Sequence, residues 1–124
     1  MRKAICVVII ENGHILLVQK RETWILPGGK PEAEESDIQC LLREIGEELP
    51  GLSLQNLKYL GAFPGITPHR GDELCAEVYL ADVTGAITPS AEINAARWVE
   101  KPEGYHLSDI TRKIVLFLRQ NGYL

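Results

Sequence analysis

Residues 26–51 read LPGGKPEAEESDIQCLLREIGEELPG, and the order of signals in this stretch decides the fold. Trp24-Ile25-Leu26 is a short β-prone segment, and Pro27-Gly28-Gly29 breaks it with backbone that can approach a ligand closely. Ser36 is placed to cap a helix, with Gln39 three residues later completing a capping box. Ile38, Leu41, Leu42, Ile45 and Leu49 then recur at helical spacing and are expected to form one apolar stripe. Pro50 cannot continue the helix, and Gly51 suits the left-handed residue after it.

Upstream, Ala4 to Ile10 and His14 to Gln19 are apolar and rich in β-branched residues. Glu11-Asn12-Gly13 joins them, and Asn-Gly is a strong hairpin signal. Downstream, Tyr59 to Phe63, Leu74 to Val83 and Arg97 to Val99 read as strands, with Leu74, Ala76, Val78 and Leu80 sharing one face by alternation. A second helix is expected from about Ser108 to Gln120, with Ile110, Ile114, Val115 and Leu118 inward and Asn121-Gly122 ending it. Strands interleaved with two helices predict an α/β fold, a three-layer α/β/α sandwich with a mixed β-sheet, as a single domain over residues 1–124.

Hydrophobic residues make up 45% of the 124 and charged residues 24%, which supports a packed core and argues against disorder. The longest apolar run, Ala4 to Ile10, is far short of the ~20 residues that cross a bilayer, so no membrane partner is expected. No leader pattern opens the chain. Cys6, Cys40 and Cys75 are odd in number and lack a CxxC pair, which reads as reduced thiols and a cytoplasmic location. With 13 Lys plus Arg against 17 Asp plus Glu, the net charge is -4 and no basic run appears, so a nucleic-acid polymer is not an expected partner. An anionic substrate would then need positive charge from elsewhere, and a divalent metal is the natural source.

The first helix carries the chemistry to receive one. At ~100° per residue, Glu44, Glu47 and Glu48 fall in one arc beside the apolar stripe. Their mutual repulsion has no helix-stabilising logic, and the last two sit where the helix dipole disfavours anions. A hard cation taking oxygen ligands, Mg²⁺ or in its place Mn²⁺, resolves the conflict and would neutralise a phosphate chain. Arg43, four residues before Glu47, can orient that carboxylate. Glutamates on a helix are ordinarily solvated surface, and it is the neighbouring Gly28-Gly29 turn that gives this cluster weight.

From Gly29 the chain runs five residues to Glu35, seven more, then Arg43-Glu44-Ile45-Gly46-Glu47-Glu48. This spacing resembles the signature of the Nudix hydrolase family, including MutT-like members, and the layout of the whole chain is similar. One departure lies after the box, where Pro50 and Gly51 stand in place of the family's glycine and aliphatic residue. The resemblance implies that Glu44, Glu47, Glu48 and the Gly29 carbonyl hold divalent metal, while Gly28 and Glu35 support the loop and Arg43. It implies hydrolysis of a nucleoside diphosphate linked to another moiety, with a small nucleotide as the partner molecule. The expected substrate is a (d)NTP cut to monophosphate and pyrophosphate. An ADP-ribose or nucleotide-sugar pyrophosphatase, or a noncatalytic nucleotide sensor, stays open; Pro68 lies near a proline of some ADP-ribose members. Glu48 and Glu92 rank above Asp72 and Glu73 as the base. Trp24 and Phe63 are candidates to stack on a base, and His69 and Arg70 to contact phosphate. Either a monomer or a homodimer is compatible with the sequence.

Overall fold

A computed structural model describes residues 2–68 and 70–124, so His69 lies outside the described residues. The strands are β1 (Arg2–Val8), β2 (Ile10–Glu11), β3 (His14–Lys20), β4 (Thr23–Ile25), β5 (Gly28–Gly29), β6 (Ser53–Ile66), β7 (Glu73–Thr84) and β8 (Ala95–Val99). The helices are α1 (Asp37–Glu48) and α2 (Asp109–Gln120).

Asn12 and Gly13 both take positive φ, 52° and 76°, as the tight turn between β2 and β3 requires. Hydrogen bonding divides the strands into two sheets. One is mixed, in the order β5-β1-β7-β6, with β1 and β7 parallel and the other pairs antiparallel. The other is antiparallel and built on β3, which pairs β8 along one edge and β2 and β4 along the other. No ladder joins the two sheets among the described residues; Val7 N–H donates to the Pro27 carbonyl, just before β5, at 3.0 Å, and Leu16 N–H to the carbonyl of Ile9, between β1 and β2, at 2.9 Å.

Strand alternation sends Ile5 and Val7 of β1 and Leu16 and Val18 of β3 toward α1, where they meet Leu41, Ile45 and Leu49. Val8, Ile15, Leu17 and Val78 point the other way and meet Ile114, Val115 and Leu118 of α2. Strands thus lie between two helix layers, the expected α/β/α arrangement. Leu74, Ala76, Val78 and Leu80 share the α2 side as their alternation predicted.

Two expectations need correction. β6 runs for fourteen residues, well beyond Tyr59 to Phe63, because register shifts at Gln55/Lys58 and Tyr59/Gly61 reset the alternation that a period-two reading needs. On α1, Ile38 and Leu42 are exposed, at 36% and 50%. The sheet covers a narrower sector, centred on Cys40, Leu41, Ile45 and Glu48. At 3.6 residues per turn Glu48 lies only ~20° from Leu41 around the helix, so it is carried under the helix instead of along its flank.

Candidate active site

β5 brings the Gly-Gly turn against the edge of β1, with Cys6 opposite Gly28 and Ile5 opposite Gly29. Gly28 has φ of 145°, and a Cβ there would fall 2.0 Å from the Ile5 carbonyl oxygen, so only glycine fits. Gly29 is packed on Glu44: a Cβ would lie 2.3 Å from the Glu44 carboxyl carbon. The turn therefore fixes both the strand pairing and the seat of a helix carboxylate.

α1 begins as its sequence predicts. Ser36 accepts from Gln39 N–H and the Gln39 side chain accepts from Ser36 N–H, completing the capping box. After Leu49 the chain turns through Gly51, whose φ is 101°, and Ser90 N–H closes on the Glu48 carbonyl at 2.9 Å.

Arg43 is the hub of the loop before the helix. Its Nε and Nη2 donate to Glu35 at 2.7 and 3.0 Å, a bidentate pair. Nη2 also donates to the Lys30 carbonyl at 3.1 Å, and Nη1 to Glu44 at 3.0 Å and Glu47 at 3.2 Å. The Arg43 guanidinium, helped by Glu32 N–H, holds the Glu35 carboxyl down at about 2. Glu47 is half-exposed beside Arg43, whereas Glu44 is mostly buried.

Glu48 is 6% exposed, and Gly28 N–H donates to its Oε1 at 3.2 Å. Burial pushes its carboxyl up to about 8; Glu44 adds to the rise, while Gly28 and Lys20 oppose it. Burial likewise raises Glu44, against the pull of Arg43. Two partly desolvated carboxyls thus sit against one another beside a glycine turn, with Glu48 holding its proton against Glu44. Among the described residues no three carboxylate, histidine or cysteine side chains yet converge on one point. The donors at hand are all oxygens, which suits a hard divalent cation, and the raised carboxyls record how far burial strips the pair of water. The Gly29 carbonyl faces α1, accepting a 3.7 Å contact from the Cys40 thiol.

Glu44, Glu48 and the Gly28-Gly29 turn open into a cleft of about 630 Å³, whereas Glu47, Arg43 and Glu35 stand outside its lining. Gly28, Gly29, Glu44 and Glu48 line it together with Lys20, Arg21, Lys30 and Arg70, so four cations surround the carboxylates. Glu92 joins them and pairs with Lys20 at 3.2 Å. Asp72 and Glu73 stand outside the lining. Asp72 is a strut for the β6–β7 loop, accepting from the Thr67 hydroxyl and Arg2, which hold it down at about 2.

Trp24 and Phe63 do not reach the cleft. Trp24 is 8% exposed, edge-on to Tyr105 at 5.2 Å, with the Arg97 guanidinium 5.5 Å from its ring centre. Phe63 meets Phe117 of α2 edge-on at 5.3 Å. Alternation on β4 and β6 points both rings into the α2-side core, so neither is placed to stack on a base. Sequence reasoning does not single out Lys20, Arg21 and Lys30. Their signal was available: a Lys-Arg pair ends β3 before its turn, and a lysine follows Gly29 directly.

With the geometry in view, comparison with known proteins settles the class. The NUDIX domain family matches residues 1–116, and the chain belongs to it; the family's hydrolases act on phosphoric anhydride bonds. The chain is 30% identical over 102 residues to the 8-oxo-dGDP phosphatase NUDT18 of Mus musculus, covering 74% of this chain and 30% of that one. It is 32% identical over 99 residues to the NAD-capped RNA hydrolase NudC of Pseudomonas aeruginosa, covering 74% and 34%. The chain thus spans about a third of the length of these curated relatives. A MutT NUDIX hydrolase structure from Burkholderia pseudomallei superposes with a TM-score of 0.77 at 27% identity, over 96% of each chain. Among the described residues no helix is long and apolar enough to cross a membrane.

Proposed function

We propose that this chain is a divalent-metal-dependent pyrophosphohydrolase of small nucleotides, cutting a (d)NTP to the monophosphate and pyrophosphate with water as nucleophile. The observation that carries the reading is the desolvated Glu44–Glu48 pair, set against Gly28-Gly29 in a cleft that Lys20, Arg21, Lys30 and Arg70 also line. A cation-rich rim around buried carboxylates suits a substrate with several phosphates.

Glu44, Glu47, Glu48 and the Gly29 carbonyl would hold Mg²⁺, with Mn²⁺ as a substitute. When bound, the cation neutralises phosphate charge and lowers the pKa of water. The chain's own residues do the rest. Arg43, clamped by Glu35, keeps the loop and α1 in register. Gly28 N–H fixes the Glu48 carboxyl, and the four cations draw in and align the phosphates. Glu48 and Glu92 are the carboxylates in the cleft able to take the water's proton, and Lys20 steadies Glu92.

The relatives' names span an oxidised deoxynucleoside diphosphate and an NAD cap, so the panel that tests the reading is broad. It contains the dNTPs, oxidised dGDP and dGTP, ADP-ribose, NAD and nucleotide sugars, with Mg²⁺ or EDTA. EDTA-sensitive release of phosphate or pyrophosphate, fastest with a triphosphate, is the expected result. Faster turnover of ADP-ribose or a nucleotide sugar reassigns the substrate. Nucleotide binding with no turnover overturns the enzyme reading in favour of a sensor. A net charge of -4 with no basic run in the sequence favours a small nucleotide over a polymer, and three cysteines without a CxxC pair favour the cytoplasm as the site of action.

A further inference from the structure

One wall of the cleft carries two hydroxyl side chains and no charge. Alternation along β4 buries Trp24 and turns Thr23 and Ile25 to the cleft. Trp24 bridges Leu107 in parallel: its N–H donates to the His106 carbonyl at 2.8 Å, and its carbonyl accepts from Ser108 N–H at 3.3 Å. That pairing brings Ser108, the N-cap of α2, onto the same wall.

Thr23 is 4% exposed, yet its hydroxyl has no hydrogen-bond partner among the described residues. Among those residues no side-chain oxygen or nitrogen is both sealed from solvent and unpartnered. Its Oγ1 therefore opens to the cleft that Thr23 lines. A hydroxyl so placed gives up bulk water and regains its hydrogen bonds from whatever fills the cleft. Ser108 Oγ donates to Thr111 Oγ1 at 2.7 Å and accepts from Thr111 N–H at 3.2 Å, which leaves it acceptor capacity alone.

Beside this wall, Ala4, Cys6 and Ala76 of the mixed sheet supply a floor of thin side chains, bordered by the larger Ile66 and Leu74 of the same sheet. No aromatic ring or side-chain amide among the described residues lines the cleft. A flat ring can lie on that floor with its edge against Thr23 and Ser108, while the cations take the phosphates. Resting on the nucleotide reading above, we propose that Thr23 and Ser108 form the subsite for the edge of the nucleobase. A threonine hydroxyl rotates to donate or to accept, whereas an amide has a fixed polarity. The wall takes amino and carbonyl edges alike, so it recognises a hydrogen-bonding ring without choosing among the four bases.

The test compares wild type with Thr23→Val, which keeps the shape and removes the hydroxyl, and Thr23→Ser, which restores it. Steady-state kinetics with dATP, dCTP, dGTP and dTTP should show KM raised about five- to tenfold for all four in Thr23→Val. The kcat should stay within about twofold, and Thr23→Ser should return KM to the wild-type range. Calorimetric binding of an α,β-methylene dNTP should weaken by the same factor, without turnover. Thr23→Ala is read in the same way if the valine variant does not fold. An unchanged KM in a variant of an enzyme that hydrolyses these nucleotides overturns the subsite. A rise confined to one base overturns the tolerant edge. A wild-type protein that neither binds nor cleaves any nucleotide overturns the hydrolase reading itself, and the subsite with it.

Discussion

Glu48 makes the metal-free protein lose stability as pH rises. Its carboxyl is buried and titrates at about 8 in the folded chain, against an ordinary value of 4.5 once unfolded. The folded state therefore holds the proton more tightly than the unfolded state. The stability this confers is fully present below about pH 4.5 and is lost as pH climbs through about 8. Between about pH 5.5 and 8 the loss amounts to about 3 kcal/mol. With a urea dependence of roughly 2 kcal/mol per molar for a domain of this size, the unfolding midpoint should fall by about 1.5 M. Equilibrium urea unfolding in EDTA, followed by the fluorescence of the two tryptophans, measures it. Glu48→Gln carries an uncharged amide in the same place, so most of the slope should vanish and the variant should be the more stable protein at pH 8. Its turnover should nonetheless fall at least ~100-fold, as for loss of a metal-ion contribution. Midpoints that fall in parallel for wild type and variant would refute the reasoning, because some other group would then carry the proton.

Glu47→Gln should cut kcat at least ~100-fold with Mg²⁺ while the thermal midpoint stays near wild type, since the side chain is half-exposed; steady-state kinetics and calorimetry read the two effects. Glu92→Gln should slow turnover without weakening Mn²⁺ binding measured by paramagnetic relaxation, and a pH–rate profile identical to wild type would return the role of base to Glu48. Phe63→Leu removes the edge contact with Phe117 and should cost about 1 kcal/mol in urea unfolding, with KM unchanged because the ring faces the core. A raised KM there would restore Phe63 to the site.

Local signals in the sequence translated directly into structure where their physics is local. Asn12-Gly13, the Ser36–Gln39 capping box and the Pro50-Gly51 stop each depend on a few neighbouring residues. The Nudix spacing exposed the box carboxylates for the same reason, since a helix fixes the relation of residues three and four apart. What escaped depended on distant partners. Ile38 and Leu42 looked inward because hydropathy marks an apolar arc wider than the sector the sheet covers. Glu48 looked like flank for the matching reason, and only the packing under α1 makes it a buried acid. Trp24 is apolar and adjacent to the glycine turn, but β4 alternation and Tyr105, more than eighty residues on, decide where its ring goes. Thr23 and Ser108 had no common signal at all, because a lone parallel bridge between Trp24 and Leu107 brings them together.

The cleft draws Ala4, Cys6 and Ala76 from one sheet and Lys20 and Thr23 from the other. A continuous ladder would lock such walls at a fixed spacing, but no ladder joins these two sheets among the described residues. Side-chain volume in the two helix-facing layers therefore acts as the spacer that sets the aperture. Substitutions at positions such as Leu16 or Val78, remote from any phosphate, become adjustments of gape, and a chain of this kind can change the size of the group it admits by repacking its interior while every charged residue stays in place.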